Sequence, residues 1–404
     1  VVLYLIPDTG LGGSEVLDLQ ILKELKSRSS VKVILLAEEE YGAVRRDWED
    51  QFLNVCDEFM FLSWLSFDSV RLPEVSEQKL NFLSHVLLSR GVDVVFIRNT
   101  YIGYRLAERF KENSDVRFID FVHLLGEDGA WVRASAPYQQ HMFKRLTIDA
   151  TVKRAMETWS DDAKTDPHRI VLMNQAIDIQ AVRAAKRKPV RETDKLVVAF
   201  AGRLSSQKDP LRFLSVCEKL AKNHPQFSFV IIGSGGLEDE VMNHPAVKSN
   251  LVKHVPAVSQ EVLYSYLKAI DILLMTSKAE GVACLALEAL AAGAMVVSPL
   301  LESMQLGIDE ACGISFYPMD ATHDEIADAV AKRSKERMEQ KLIEVCLQKH
   351  NVTVFKEAVW NVVDEAARSI PNSPSQRWRD AVIKMKMEAP PFSAVLTQHD
   401  APQY

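Results

Sequence analysis

An α/β architecture of two doubly wound domains is what this sequence predicts, and three observations carry that prediction. Short apolar runs alternate with amphipathic stretches from end to end, the pattern of parallel sheets covered by helices on both faces. With domains of about 150 residues as the usual size, a chain of 404 residues holds two to three of them with full-sized cores. The run Lys186-Arg187-Lys188-Pro189-Val190-Arg191-Glu192-Thr193 is charged, interrupted by proline and without apolar periodicity, so it reads as a linker between two sets of strands. The boundary falls near residue 190, giving domains 1–190 and 191–370 and a tail 371–404.

Along the first half the predicted strands are Val1 to Ile6, Val31 to Leu36, Val92 to Ile97, Val116 to His123 and Ile170 to Met173. The second half offers Leu196 to Ala201, Phe227 to Ile232, Leu251 to Val255, Ile272 to Met275, Met295 to Ser298 and Gly313 to Phe316. Helix signals lie between them. Asp209 is a good N-cap ahead of Pro210 at a first helical position, with Leu214, Cys217 and Leu220 following at helical spacing. Thr322-x-x-Glu325 is a capping box. The prolines 371, 374, 390 and 391 leave the tail mostly loop around one short helix near Trp378 to Met387, expected to pack back across the first domain.

Composition narrows the function classes. Hydrophobic residues at 47% and charged residues at 25% are an ordinary soluble mix, and the net charge of −7 disfavours a general nucleic-acid binder, which needs a basic excess. The most apolar stretch, Val282 to Leu301, is broken by Glu288, Gly293 and Pro299, too early for a membrane-spanning helix. The cysteines 56, 217, 284, 312 and 346 are odd in number and scattered, which suggests neither a disulfide framework nor a zinc site and fits a reducing cytoplasm. The chain opens at Val1 inside a predicted strand, as a segment of a longer protein would, whose other domains would then be partners.

Three motifs could carry chemistry, and each follows a predicted strand and precedes a helix. Gly10-Leu11-Gly12-Gly13-Ser14 lets backbone approach a ligand at a helix N-terminus, although Glu15 stands where a dinucleotide fingerprint needs its last glycine. A tight strand-to-helix turn is the plainer account. Ala201-Gly202-Arg203-Leu204-Ser205-Ser206-Gln207-Lys208 sets two cations five residues apart, Arg203 as a planar fork and Lys208 as a point charge, where ligands of open parallel sheets bind. Either cation alone would pass for a solvated surface charge. Glu280-Gly281-Val282-Ala283-Cys284-Leu285-Ala286-Leu287-Glu288 spaces two acids eight apart, with a helix expected to begin near Val282. Glu288 would sit about two turns into it on a largely apolar surface, where it must point outward or be paired.

In this order, together with Ile231-Ile232-Gly233-Ser234-Gly235, Val171 to Asp178 and the trailing Glu288-Ala289-Leu290-Ala291-Ala292-Gly293, these motifs resemble the retaining glycosyltransferases of family four. The resemblance covers most of the chain. It implies the GT-B fold, two Rossmann-like domains facing each other across a cleft. It implies that Arg203 and Lys208 hold the donor diphosphate and steady the leaving group. Glu288 would bind the nucleotide ribose, and Glu280 the transferred sugar, aided by backbone N–H groups of Gly281, Val282 and Ala283. Gly12 and Gly13 would close on the diphosphate, and His123 matches the histidine beside the transferred sugar. Without the other motifs His123 would read as a structural strand-end histidine. Glu127, Asp128, Trp131 and Arg133 follow it on the acceptor side.

The activity so implied is metal-independent transfer of a sugar from a UDP- or GDP-sugar to a glycan or lipid-linked acceptor, in surface polysaccharide or glycoconjugate synthesis. No Asp-x-Asp triplet and no cluster at metal spacing occurs, so no metal and no cofactor is expected. Departures from the family pattern, Val282-Ala283-Cys284 and Leu300-Leu301-Glu302-Ser303-Met304, bear on the donor sugar. A sugar-nucleotide epimerase, a non-catalytic module of a larger polysaccharide-building protein and a dinucleotide dehydrogenase are the competing readings. The intact set Arg203, Lys208, Glu280 and Glu288 speaks against decay. Lys144-Arg145 and Lys153-Arg154 offer at most a peripheral contact with the inner face of a membrane, and solvated helix charges explain them more simply.

Overall fold

The structure is a computed structural model that describes residues 1–8, 13–39, 46–62, 77–112, 115–123, 129–159, 167–174, 176–190, 194–280, 283–302, 313–336 and 340–371. The chain divides into two compact units. The first comprises Val1–Thr147, Ala155–Val171 and the chain from Ala358 onward; the second comprises Ile148–Arg154 and Leu172–Glu357. The expected tail helix and its packing lie outside the described residues.

In the first unit, strands β1 (Val2–Asp8), β2 (Val33–Glu39), β3 (Glu58–Phe61), β4 (Val94–Arg98), β5 (Arg117–Val122), β6 (Lys144–Thr147) and β7 (Ile170–Leu172) form one sheet in the order β3-β2-β1-β4-β5-β6-β7. In the second, β8 (Leu196–Ala201), β9 (Phe227–Ile232), β10 (Val252–Val255), β11 (Ile272–Leu274), β12 (Met295–Pro299) and β13 (Ile314–Tyr317) run β10-β9-β8-β11-β12-β13. The strand pairings are parallel, as in Val2 opposite Val33 and Val94, or Leu196 opposite Phe227. Both sheets therefore share the third-second-first-fourth order of a Rossmann sheet, whose switch point lies between the first and fourth strands.

Strand residues alternate between two cores because successive side chains point to opposite faces. In β8, Val197, Ala199 and Ala201 pack with the helix Cys284–Ala292 on one side, and Val198 and Phe200 pack with the helix Pro210–Asn223 on the other. Burial on both faces explains why these strands read as unbroken apolar runs. The predicted strands all appear, two of them (Leu196–Ala201 and Phe227–Ile232) with the predicted ends and the others with ends shifted by at most three residues. Two others, β3 and β6, are not among them, because Glu58-Phe59-Met60-Phe61 and Lys144-Arg145-Leu146-Thr147 are short and carry charge.

The boundary differs from the expected one. The described part of the predicted linker, residues 186–190, is built into the second unit. Val182 and Val190 are buried in its core, the Lys188 N–H donates to the Ser265 carbonyl at 2.9 Å, and Lys253 Nζ donates to the Val190 carbonyl at 2.8 Å. The division instead falls within β7, between Val171 and Leu172. The Lys144-Arg145 pair lies on a strand, not on a solvated helix, and Arg145 is buried with its Nε on Asp120 Oδ2 at 3.0 Å, so Arg145 itself is not available to a lipid surface. Cys346 is disulfide-bonded, against expectation, whereas Cys56, Cys217 and Cys284 are free. Among the described residues no helix is long and apolar enough to cross a membrane.

Candidate active site

In the second unit the expected residues gather where β8 and β11 end, on either side of the switch point. The loop after β8 is shaped by a close backbone crossing. Gly202 and Gly233 have φ of +144° and +145°, and a Cβ on Gly233 would stand 1.9 Å from the Gly202 carbonyl oxygen. Only glycine permits that approach. The Leu204 N–H then donates to the Ser234 carbonyl at 3.0 Å, and His254 Nε2 meets the Gly233 carbonyl at 2.9 Å. Arg203 is exposed on this turn. Asp209, at φ +49°, caps the helix Pro210–Asn223 by accepting from the Arg212 N–H, as the sequence predicts.

Lys208 reaches across to the other loop. Its Nζ lies 2.6 Å from both carboxylate oxygens of Glu280, and Ser277 Oγ donates to Glu280 Oε1 at 2.5 Å. The backbone is tied as well. Thr276 Oγ1 donates to the carbonyls of Lys208 and Asp209, and the Lys278 N–H donates to the Gln207 carbonyl. The Glu280 side chain is 8% exposed and Lys208 30%, so the pair sits at the rim of the sheet with the ammonium partly in solvent.

Glu288 is buried one turn into the helix Cys284–Ala292, since that helix begins two residues later than expected. It is paired: Tyr264 O–H donates to its Oε1 at 3.1 Å, and Gln260 Nε2 donates to the same oxygen at 3.2 Å. Burial raises its pKa, while both hydrogen bonds oppose the shift. Among the described residues both of these donors fall on Oε1. Ala283 precedes this helix as its N-cap. Gly281 and Val282 lie outside the described residues.

In the first unit His123 directly follows β5, buried edge-on against Phe121 at 4.3 Å. Neither ring nitrogen has a hydrogen-bond partner among the described residues. Burial, and then the Arg98 guanidinium, hold its pKa well below the ordinary value, so it is a neutral imidazole. Asn99 Oδ1 and Thr100 Oγ1, at the end of β4, are likewise buried without partners. Arg98 itself is anchored by Asp18 at 2.7 Å and Glu15 at 3.3 Å on the helix Gly13–Ser27. Sequence reasoning missed Arg98, Asn99 and Thr100, although a polar triplet ending an apolar strand at a switch point is a readable signal.

Gly13 opens its helix, whereas Gly12, Glu127 and Asp128 lie outside the described residues. Arg133 lies over the Trp159 ring at 5.5 Å, and Trp131 is half-buried nearby in sequence. Among the described residues no group of three or more His, Cys, Asp or Glu could hold a metal ion.

The sequence model of the family described as Glycosyl transferases group 1 matches residues 182–345, the segment that carries Arg203, Lys208, Glu280 and Glu288. The match lies within the second unit and spans less than half of the chain. A D-inositol 3-phosphate glycosyltransferase of Saccharomonospora viridis is 26% identical over 204 residues, 46% of this chain and 47% of the relative. The chain thus spans less than half the length of the relatives it matches in sequence. Among solved structures, Anabaena HepE in complex with UDP superposes with a TM-score of 0.68 at 14% identity, covering 90% of this chain and 99% of that one. A glycosyltransferase from Rickettsia africae gives 0.68 at 12% identity, covering 92% and 99%. These solved structures share the fold, two Rossmann-like α/β units of the GT-B class.

Proposed function

We propose that this protein is a metal-independent retaining glycosyltransferase that moves a sugar from a UDP- or GDP-sugar to a glycan or lipid-linked acceptor in surface polysaccharide or glycoconjugate synthesis. The cytoplasm, or the inner face of the membrane, is the compartment that supplies such donors. The observation that carries this reading is the pairing of Lys208 with Glu280 beside the buried, Tyr264-bound Glu288, all at the carboxyl ends of the second sheet. A nucleotide-sugar donor is supported by the fold relative HepE, whose structures hold UDP, UDP with glucose, and UDP-glucose.

The mechanism follows from where charge develops. As the bond from the anomeric carbon to the donor phosphate stretches, negative charge grows on the diphosphate. Arg203 and Lys208 stand ready to receive it, doing the work that a divalent ion does elsewhere. Glu280, aligned by Ser277, accepts hydroxyl protons of the transferred sugar. Glu288 fixes the nucleotide through its ribose diol, and Ala283, the N-cap of the same helix, offers its backbone N–H. His123, neutral and with neither nitrogen partnered among the described residues, accepts one sugar hydroxyl and donates to another oxygen. The acceptor hydroxyl attacks the face from which the diphosphate leaves, its proton passing to the departing phosphate oxygen, so configuration is retained and no enzyme nucleophile is needed.

A thermal-shift and calorimetric screen against UDP, GDP, ADP, their sugar conjugates and NAD, with and without magnesium, tests this directly, because a ligand bound to the native state raises its stability. The expected result is magnesium-independent stabilisation by one nucleoside diphosphate, weakened by Lys208→Ala. Glu280→Ala should abolish transfer and largely keep nucleotide binding. Unchanged turnover in both variants would overturn the assigned site.

A further inference from the structure

The first unit contains a cavity of about 370 Å³ that none of the donor-site residues touches. That volume is in the usual range of about 300–1,000 Å³ for small-molecule sites. Its position is unusual. Arg117 opens β5, Lys144 opens β6 and Arg169 directly precedes β7, so the cavity lies at the amino ends of these strands. His123 follows the carboxyl end of the same β5, roughly 20 Å away at about 3.3 Å per residue.

The lining is strongly cationic. Lys111, Arg117, Lys144 and Arg169 face a single carboxylate among the lining residues, Glu365, on a chain whose net charge is −7. These cations are arranged by the fold. Arg117 Nε donates to Ser369 Oγ at 2.8 Å and its Nη2 to the Ser369 carbonyl at 2.9 Å, while Arg169 Nη1 donates to the Met142 carbonyl at 3.2 Å. Lys144 Nζ stands 3.6 Å from Glu365 Oε1, too far for a good hydrogen bond, and 3.5 Å from the His168 carbonyl. His141 also lines the cavity, its pKa lowered by burial and by Lys111 against the opposing pull of Glu108 and Glu112, so at neutral pH it offers one N–H and one lone pair.

We propose that this cavity is a second ligand site, which takes a small phosphate-bearing molecule against Lys144, Arg169 and Lys111, with Arg117 supplying positive potential from behind. A phosphate dianion matches a mixed set of guanidinium and ammonium donors, and it would displace the loosely held Glu365 carboxylate from Lys144. The same chemistry could arrive as a soluble phosphate ester or as a lipid headgroup. This proposal does not depend on the activity assigned above.

Calorimetry of the full chain at low ionic strength with inorganic phosphate and with glucose 6-phosphate, and flotation with phosphatidylcholine vesicles containing phosphatidic acid, test it. Either ligand form binding in a cavity-dependent way supports the site, and the arm that binds names the source. The double variant Lys144→Gln/Arg169→Gln should weaken binding at least about tenfold, the expected scale for losing charge-assisted hydrogen bonds, with an unchanged melting temperature. Glu365→Gln should tighten it about twofold to threefold, which simple loss of surface charge patterning in a misfolded variant cannot mimic. Lys208→Ala should leave it unaltered. Binding that is indifferent to Lys144 and Glu365, binding that Lys208→Ala abolishes, or no binding to any of the three probes would overturn the proposal.

Discussion

The two units share a strand order but place their charges differently. In the first, Arg145 is sealed between β5 and the surrounding helices, its Nε on Asp120, its Nη2 on Ser135 Oγ, with Tyr104 O–H donating to the same Asp120 at 3.0 Å. In the second, Lys208 and Glu280 meet at the rim of the sheet, with the ammonium 30% exposed. The difference teaches which ion pairs are available to a ligand. A sealed pair holds structure and cannot exchange partners without unfolding its surroundings. A rim pair can trade a carboxylate for a phosphate at low cost.

Breaking each pair is the sharpest way to test that contrast, and it carries the largest expected effect. Arg145→Ala leaves Asp120 buried without its counter-ion and should cost about 3–5 kcal/mol in urea unfolding. Lys208→Ala removes a partly solvated pair and should cost about 1 kcal/mol or less, while donor binding falls. Equal losses of stability in the two variants would erase the distinction between structural and functional pairs.

Glycine sites near the two switch points give a second, smaller contrast. A Cβ at Gly233 would run into the Gly202 backbone at φ +145°, where nothing nearby can rotate away. Gly233→Ala should therefore cost about 2–3 kcal/mol and disturb the Arg203 turn. A Cβ at Gly103, in the helix Tyr101–Arg109, would meet side-chain atoms of Ile97 at 2.7 Å and Thr100 at 2.8 Å. Those are γ atoms of two fully buried β-branched residues, which give way only with repacking, so Gly103→Ala should cost about 1–2 kcal/mol even after alanine regains helix propensity, less than the backbone collision at Gly233. Chemical denaturation of both variants decides whether backbone or side-chain crowding governs these turns.

Much of the fold was legible because the strands that position the site are buried on both faces and therefore read as apolar runs. β3 and β6 were not, since their charged residues obey tertiary partners: Arg145 is on a strand because Asp120 and Ser135 await it, and neither lies near it in sequence. The linker failed for a related reason. Lys186 to Val190 has no local periodicity, yet Val190 is buried and Lys188 is tied to Ser265 across the unit. Of the site, the spacing of Arg203, Lys208, Glu280 and Glu288 was readable. The hydrogen-bond partners Ser277, Tyr264 and Gln260 were not, because ordinary polar residues acquire such roles only through packing.

The smallest predicted effect concerns His123 and has a definite sign. Burial and Arg98 keep its folded pKa below the ordinary 6.5, so under acid the unfolded chain takes up a proton that the folded imidazole refuses. This group therefore contributes no loss of stability above about pH 6.5 and a growing loss below it, approaching about 1 kcal/mol per pH unit. Arg98 is held by Asp18 and Glu15, whereas the pKa of Glu288 is raised by burial, with its Tyr264 and Gln260 hydrogen bonds opposing. In His123→Gln that part of the acid slope should vanish, leaving a flatter melting-temperature profile between about pH 6.5 and pH 5 than the parent protein. Parallel profiles for the two proteins would mean that His123 titrates normally, and then it could not serve as the neutral hydroxyl partner that the transfer mechanism assigns to it.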